Sequence, residues 1–389
     1  MRKTILELQA SQIREVANLG MGRPEVLPFW FGESDEATPE AVRAAAMASL
    51  QAGETFYTHN LGLPALREAL AAYVSGLHAP VAAERIAITS GGVNALMLAV
   101  QVLVDAGDEV VVLTPVWPNL VGQPQIMGAR VRCVALKPRA DGAWALDLPE
   151  LLAAITPRTR LLVLNSPNNP TGWTLTQGEQ QAILAHCRGT GTWILSDEVY
   201  ERLYYRDDTA SGAAPSFLDL AQSEDRLVVV QSFSKAFLMT GWRLGWMVMP
   251  PAMAAQMGKV IEFNTSCAPV FVQRGALAAL AQVDAITPRI VAHMRACRDA
   301  LVPALQALPG VRTSRSPGGM YAFVQIAGFA DSLALAKRLV LEAGVGLAPG
   351  AAFSPEGEGW LRWCFASRDL ARLTQGVERL GQWLRTQRG

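Results

Sequence analysis

Through its middle, the chain alternates short β-branched runs with longer amphipathic stretches, and no other feature limits its fold as strongly. A run such as EVVVLT at 109–114 is apolar on both faces, which suits a strand covered by helices on both sides. Strands are expected over 86–89, 109–114, 160–165, 192–197, 226–232 and 244–249, with helices over 63–75, 93–105, 176–187 and 251–263. Strands and helices in this order form a mostly parallel sheet with helices packed on it. The expected fold class is therefore α/β, with a large doubly wound sheet domain over residues 45–275.

From residue 276 the character changes. A long helical stretch runs to residue 307, Pro309 and Gly310 break it, and alternating runs follow around 321–326 and 361–365 before a last helix after Ser367. These segments predict a smaller α+β domain made of residues 1–44 plus 276–389, with a helix around 11–19 joining it from the N-terminus. Two units agree with the length, since 389 residues exceed what one hydrophobic core usually serves.

Charge and composition exclude several roles. Lys+Arg and Asp+Glu both number 34, so nothing in the balance draws the protein to nucleic acid or to an anionic membrane. The richest apolar stretch, 95–104, contains Gln101 and falls short of the roughly 20 residues that span a bilayer. The opening MRKTILELQASQIREV is interrupted by Glu7 and has no small-residue cleavage site, so no signal peptide is expected. Cys133, Cys187, Cys267, Cys297 and Cys364 are odd in number and form no CxxC pair; they are expected to be reduced core residues of a cytoplasmic protein. His59, His78, His186 and His293 are as scattered, so no metal site is expected.

In an open α/β sheet, ligands bind beyond the carboxyl ends of the strands, and the polar residues there form a coherent set. After the first strand stands Ser90-Gly91-Gly92-Val93 at the start of a helix, where glycines and free amides suit a phosphate, although small residues at such a turn are ordinary. The run Ser166-Pro167-Asn168-Asn169-Pro170-Thr171-Gly172 reads equally well as a plain turn. The next strand delivers Asp197, Glu198 and Tyr200, and the one after it Ser232-Phe233-Ser234-Lys235, with Arg243 eight residues beyond the lysine. A lone lysine is usually a surface residue and a strand-end acid usually a cap. Together they match what pyridoxal phosphate needs: a lysine amine for its aldehyde, an acid for its ring nitrogen, and hydroxyls, amides and a forked cation for its phosphate. Lys235, Asp197, Ser232, Ser234, Gly91, Gly92 and Arg243 supply that set.

At this point the chain resembles a class I/II aminotransferase of the aspartate aminotransferase superfamily, fold type I of the pyridoxal-phosphate enzymes. The resemblance rests on motifs in the family's order along nearly the whole chain: GESDEATP from Gly32, YTHNLGLPALREAL from Tyr57, SGG, SPNNPTG, SDEVY, SFSK, GWRLGW and LRWCFA. It implies that Lys235 forms the Schiff base and shuttles the proton, that Asp197 pairs with the ring nitrogen, and that Tyr200 and Asn169 bind the ring's phenolic oxygen. It further implies that Trp117 stacks on the ring, that Ser90 through Val93, Ser232, Ser234 and Arg243 hold the phosphate, and that Arg362, Asn169 and the backbone of Gly32 hold the substrate α-carboxylate. The family shares each site between two subunits, which implies an obligate homodimer with Tyr57 reaching the other subunit's phosphate and Ser266 in a similar place.

The reaction implied is ping-pong transfer of the amino group of an L-amino acid to a 2-oxo acid through pyridoxamine phosphate. The alternative is a β-eliminating C–S lyase on the same scaffold. A cofactor-sensing DNA-binding regulator is a more distant reading that the neutral charge opposes. Gly-Glu-Ser-Asp at 32–35 replaces the usual Gly-Glu-Pro-Asp, and Met-Tyr-Ala-Phe at 320–323 sits where an aromatic is only loosely placed. Both departures leave the cofactor set intact and bear on substrate choice. The apolar cluster Phe29-Trp30-Phe31, with Tyr321 and Phe353, leans toward neutral or aromatic side chains, and no cation for an acidic one can be picked from the sequence.

Overall fold

The computed structural model describes residues 1–387. Its main element is a seven-stranded sheet built from β1 (Ile86–Thr89), β2 (Glu109–Thr114), β3 (Arg130–Ala135), β4 (Thr159–Asn165), β5 (Trp193–Asp197), β6 (Leu227–Ser232) and β7 (Gly245–Val248). The strand order is β1-β7-β6-β5-β4-β2-β3, and every pairing is parallel except the two made by β7.

The continuous apolar runs have a direct structural cause. Along a strand, successive side chains point to opposite faces. Val110, Val112, Val163, Leu195, Val228 and Met247 enter one core layer with Leu96 of the helix Gly92–Leu103. Val111, Leu113, Leu164, Ile194, Val229 and Trp246 enter the layer on the other side. Both faces are dry, so neither can carry the polar half of an alternating pattern. The helices between strands begin and end on local signals: Gln177–Thr190 starts on a capping box between Thr176 and Glu179 and stops at Gly191, whose φ of +76° is left-handed.

A second, antiparallel sheet of four strands lies later in the chain: β8 (Val311–Arg312), β9 (Tyr321–Ile326), β10 (Ala348–Pro349) and β11 (Trp360–Cys364), in the order β8-β9-β11-β10. The N-terminal helix Gln12–Gly20 packs near it, and Leu27–Pro28 pairs with Val345–Gly346, so the two ends of the chain meet. The fold is α/β, a large mostly parallel sheet with a smaller α+β part. The helices Glu40–Gln51 and Val270–Ala281 pack on each other and run across residues 44/45 and 275/276.

Three expectations need correction. The helical stretch expected over 276–307 is two helices, Val270–Ala281 and Val283–Gln306, meeting at 81° about Gln282. The first packs on Glu40–Gln51 and the second on Leu370–Thr386, and these two surfaces demand different directions that no Pro or Gly announces. Strand β3 was missed because it is the sheet edge and its outward residues, Arg130 and Arg132, are polar. Cys133, on that same edge, is exposed rather than in the core, and Cys267 is only partly buried. Among the described residues no single helix is long and apolar enough to cross a membrane, and no group of three or more His, Cys, Asp or Glu could hold a metal.

Candidate active site

Asn165, Asp197 and Ser232 are the last residues of three neighbouring parallel strands, β4, β5 and β6; Asn165 pairs in register with Asp197, and Ser232 lies two residues beyond Val230, the partner of Asp197. A cavity of about 520 Å³ opens above them. Its wall contains Gly32, Gly92, Val93, Trp117, Asn169, Asp197, Tyr200, Ser232, Ser234, Lys235, Arg243 and Arg362, twelve of the sequence-derived site residues. Gly91, the residue before Gly92, is not part of the wall. Tyr57 does not line it: its side chain is 90% exposed, and Ser266 is likewise outside.

Lys235 follows β6 by three residues and reaches back so that Nζ donates a 2.6 Å hydrogen bond to the carbonyl of Gly32. Its ammonium lies 5.5 Å from the centre of the Tyr200 ring. Burial lowers its pKa to about 8; Cys364, Glu33 and Asp197 offset part of that effect, and Arg362 adds to it. Asp197 is 3% exposed, and burial raises its pKa to about 7, against the backbone N–H of Val199 and the charge of Lys235. Among the described residues it has no cationic side chain in ion-pair contact, so a ligand cation would restore the charged form. The neighbouring Glu198 turns away from the cavity and binds the hydroxyls of Ser196 and Ser216.

Beside β6, Ser232 Oγ donates to Ser234 Oγ at 2.9 Å and accepts from the Ser234 N–H at 3.1 Å. Arg243 has a left-handed backbone, φ +54°, and its guanidinium packs on the chain at Gly91, where an added Cβ would lie 2.5 Å from Nη2. Only glycine permits that approach. Gly91 also precedes the helix Gly92–Leu103, whose first amides have no partner within the helix. Hydroxyls, helix amides and an arginine that has no carboxylate partner among the described residues thus surround one corner of the cavity, the donor set an anion requires.

At the opposite corner, Arg362 on β11 is 2% exposed. Nη1 donates to Asn169 Oδ1 at 3.0 Å, Nη2 donates to the carbonyl of Trp30, and Nε has no partner. The guanidinium lies between the rings of Tyr321 and Phe353, at 4.6 and 5.0 Å from their centres. Arg362, too, has no carboxylate partner among the described residues. A buried, ring-held guanidinium of this kind is poised for a ligand carboxylate.

Several contacts in the site are not foretold by the sequence. Tyr321 hydroxyl is 2.7 Å from that of Tyr200, and it sits so close to Gly32 that a Cβ there would lie 2.1 Å from its oxygen. Asn165 donates to the Asp197 carbonyl at 3.0 Å and accepts from the Asn169 N–H at 2.7 Å, tying the 166–172 turn to β5. The strand-end rule that selected Asp197 applies equally to Asn165; nothing in the sequence pairs Tyr321 with Tyr200, 121 positions away. Arg14, Asn119 and Ser11 also face the cavity.

Comparisons with known proteins agree with this geometry. The family model for aminotransferase class I and II matches residues 24–380. The chain is 30% identical to an aspartate aminotransferase of Pyrococcus horikoshii, over 97% of this chain and 95% of that one. It is 34% identical to an arginine–pyruvate transaminase of Pseudomonas aeruginosa, over 90% and 87%. Its structure superposes on a single mutant of Thermus thermophilus aspartate aminotransferase with a TM-score of 0.90 and 32% identity, covering 98% and 99%. These relatives transfer amino groups and give the elimination alternative no support. The cavity also fits the family's cofactor, pyridoxal 5′-phosphate: an amine, a buried acid lacking a cation and an anion cradle share one wall. By sequence, fold and site, the chain belongs to the class I and II aminotransferases, transferases that use pyridoxal 5′-phosphate to move amino groups.

Proposed function

We propose that this aminotransferase carries its cofactor on Lys235 and exchanges the amino group of an L-amino acid with a 2-oxo acid in two half-reactions at the cavity described above. The observation that carries the reading is that Asp197 and Arg362, both nearly fully buried, face one cavity with Lys235 and that among the described residues neither has an oppositely charged side chain in ion-pair contact. Buried charges are tolerated when a partner exists, so a cationic ring and a substrate carboxylate are the complements sought.

When bound, pyridoxal phosphate supplies an aldehyde that accepts the amino group and a ring that takes up the electron pair released from the substrate Cα–H bond. Asp197 would keep the ring nitrogen protonated, and Tyr200 and Asn169 would hold the phenolic oxygen. Trp117 would stack on the ring. Ser232, Ser234, Arg243 and the backbone of Gly91, Gly92 and Val93 would hold the phosphate. Arg362 binds the α-carboxylate through its fork, which sets the Cα–H bond toward Lys235. With a pKa near 8, roughly a quarter of the Lys235 amine is neutral at pH 7.5 and able to take that proton. The carbonyl of Gly32, 2.6 Å from Nζ, steers the amine.

We also propose a cytoplasmic homodimer in two units, residues 45–275 and 1–44 with 276–389, in which Tyr57 of each subunit completes the other's phosphate corner. Phe56, Tyr57 and Phe263 are strongly exposed aromatic side chains, which suits burial against a second copy, and the five cysteines are unpaired, which suits a reducing compartment. Single-turnover mixing tests the reaction: an amino acid without a β leaving group should yield one equivalent of 2-oxo acid and no ammonia, and a second 2-oxo acid should restore the starting spectrum. Release of pyruvate and ammonia from cystathionine-like substrates, with no transfer from any donor, would replace this reading with elimination.

A further inference from the structure

We propose that His78 is a positioning residue for the cofactor: by bridging Glu201 and Asp219 it fixes the segment that carries Asp197 and Tyr200, an inference that rests on the aminotransferase reading above. His78 stands at the C-cap of the helix Pro64–Leu77, and its side chain is almost wholly buried. Nδ1 lies 2.9 Å from Asp219 Oδ1, and Nε2 lies 3.0 Å from Glu201 Oε2. A carboxylate accepts and does not donate, so a ring that bonds one at each nitrogen carries a proton on both. His78 is thus a buried cation between two acids. Burial works against the charge, but the hydrogen bonds to Asp219 and Glu201 outweigh it and raise the pKa to about 10.

The segment it holds has two faces. Asp197, Val199 and Tyr200 line the cavity, while Glu198 and Glu201 turn to the other side. On that side the acids join one network. Ser196 and Ser216 donate to Glu198 at 2.7 and 2.6 Å, the Ser216 N–H donates to Asp219 at 3.1 Å, and Asp219 and Glu201 accept from His78. Tyr73, on the same helix as His78, and Arg202, whose guanidinium is 5.9 Å from the centre of the Tyr73 ring, are the other titratable groups beside Glu201 among the described residues. Within the network, Ser196, Glu198, Glu201, Ser216 and Asp219 come from one stretch of chain, and His78 ties that stretch to a helix anchored in the core by Leu66, Leu70 and Val74.

Without the cation, two acids face each other and the buried Glu201 is left uncompensated, which drives it from its place. Glu201 follows Tyr200 directly, so its displacement passes to the tyrosine. The Tyr200 hydroxyl has a second partner in that of Tyr321 at 2.7 Å, so its reach toward the cofactor depends on where the backbone sets it. Removal of His78 should therefore act on the cofactor from outside the cavity, whose wall does not include it.

The test compares the cofactor-loaded protein with its His78→Gln and Asp219→Ala variants. Gln removes the cation and keeps an amide donor. A hydrogen bond from Tyr200 favours the ionised phenolic oxygen, so His78→Gln should raise the pH at which the bound cofactor's visible absorption changes by about half to one unit. It should also lower kcat roughly 10-fold and leave KM for the amino donor within about threefold, because Arg362 is untouched. Asp219→Ala removes one anchor at a partly exposed acid; it should shift the absorption the same way by less, and it carries the test if His78→Gln does not fold. Nitrogen-15 NMR of the unaltered, cofactor-free protein at about pH 7.5 should show both ring nitrogens of His78 protonated, and a neutral ring would overturn the bridge. Lower stability in urea with an unchanged absorption profile, or no change in any readout, would overturn the positioning role while leaving the aminotransferase reading intact. If no donor transfers its amino group to the unaltered protein, that reading falls and takes the positioning role with it.

Discussion

Replacing Asp197 with Asn should stabilise the cofactor-free protein at neutral pH and weaken its response to cofactor. Burial raises the Asp197 pKa from 3.8 to about 7. A group with a raised folded pKa contributes stability that is fully present below its unfolded pKa and is lost as pH rises through the folded one. At about 1.4 kcal/mol per pKa unit, about 4 kcal/mol is lost by pH 7.5, of which roughly 2 has already gone by pH 5. Asn is neutral throughout and stands in for the protonated acid. The stability difference between the two proteins should therefore widen in favour of Asn by about 2 kcal/mol from pH 5 to pH 7.5. Glu198, whose pKa is also raised to about 7 by burial, is present in both proteins and cancels. Urea unfolding of both cofactor-free proteins at one protomer concentration measures the difference. Added pyridoxal phosphate should then stabilise the Asp protein more than the Asn variant. A difference that does not change with pH, or an Asn variant less stable at pH 7.5, would refute the view that Asp197 is a buried acid awaiting a cation.

Other expectations follow from the same geometry. Borohydride trapping of the bound cofactor and peptide mapping should place the label on Lys235; a label on Lys137, Lys259 or Lys337 would move the site. Arg362→Ala should lower kcat/KM in both half-reactions by about 3 kcal/mol, or roughly 100-fold, through loss of a buried forked contact to each substrate's carboxylate, and a loss confined to one half-reaction would contradict that assignment. Mixing inactive Lys235→Ala protein with impaired Tyr57→Ala protein should regain activity, because each mixed dimer would hold one site with both residues intact. No recovery despite demonstrated subunit exchange would count against sharing of sites.

The large sheet was legible because its chemistry is local. Strands 86–89 and 109–114 match the expected bounds, and the others differ by one or two residues at their ends, since an apolar run buried on both faces announces itself. The strand-end rule brought Asp197, Ser232 and Lys235 together for the same reason. Edge strand β3 escaped because its outward face meets water and its residues read like a loop. The bend at Gln282 escaped because tertiary packing, rather than a helix breaker, sets it. Arg14, which lines the cavity, was invisible there because its neighbourhood reads as an ordinary amphipathic helix. Tyr321 was legible as an aromatic near the substrate but not as the partner of Tyr200.

The antiparallel pairing of β1 with β7 has a consequence for how the protein is made. Among the described residues, Ile86–Thr89 finds its one neighbour in the large sheet at Gly245–Val248, so this strand leaves the ribosome long before its partner exists. At about 5–20 residues per second, translation separates them by roughly 10–30 s. During that time a wholly buried, mostly apolar strand lacks its sheet neighbour, which makes this segment a natural substrate for chaperones. The approach of Arg243 to Gly91 depends on that late pairing. A ribosome-bound chain stopped before residue 243 therefore lacks the arginine of the phosphate corner, however well its earlier strands have formed.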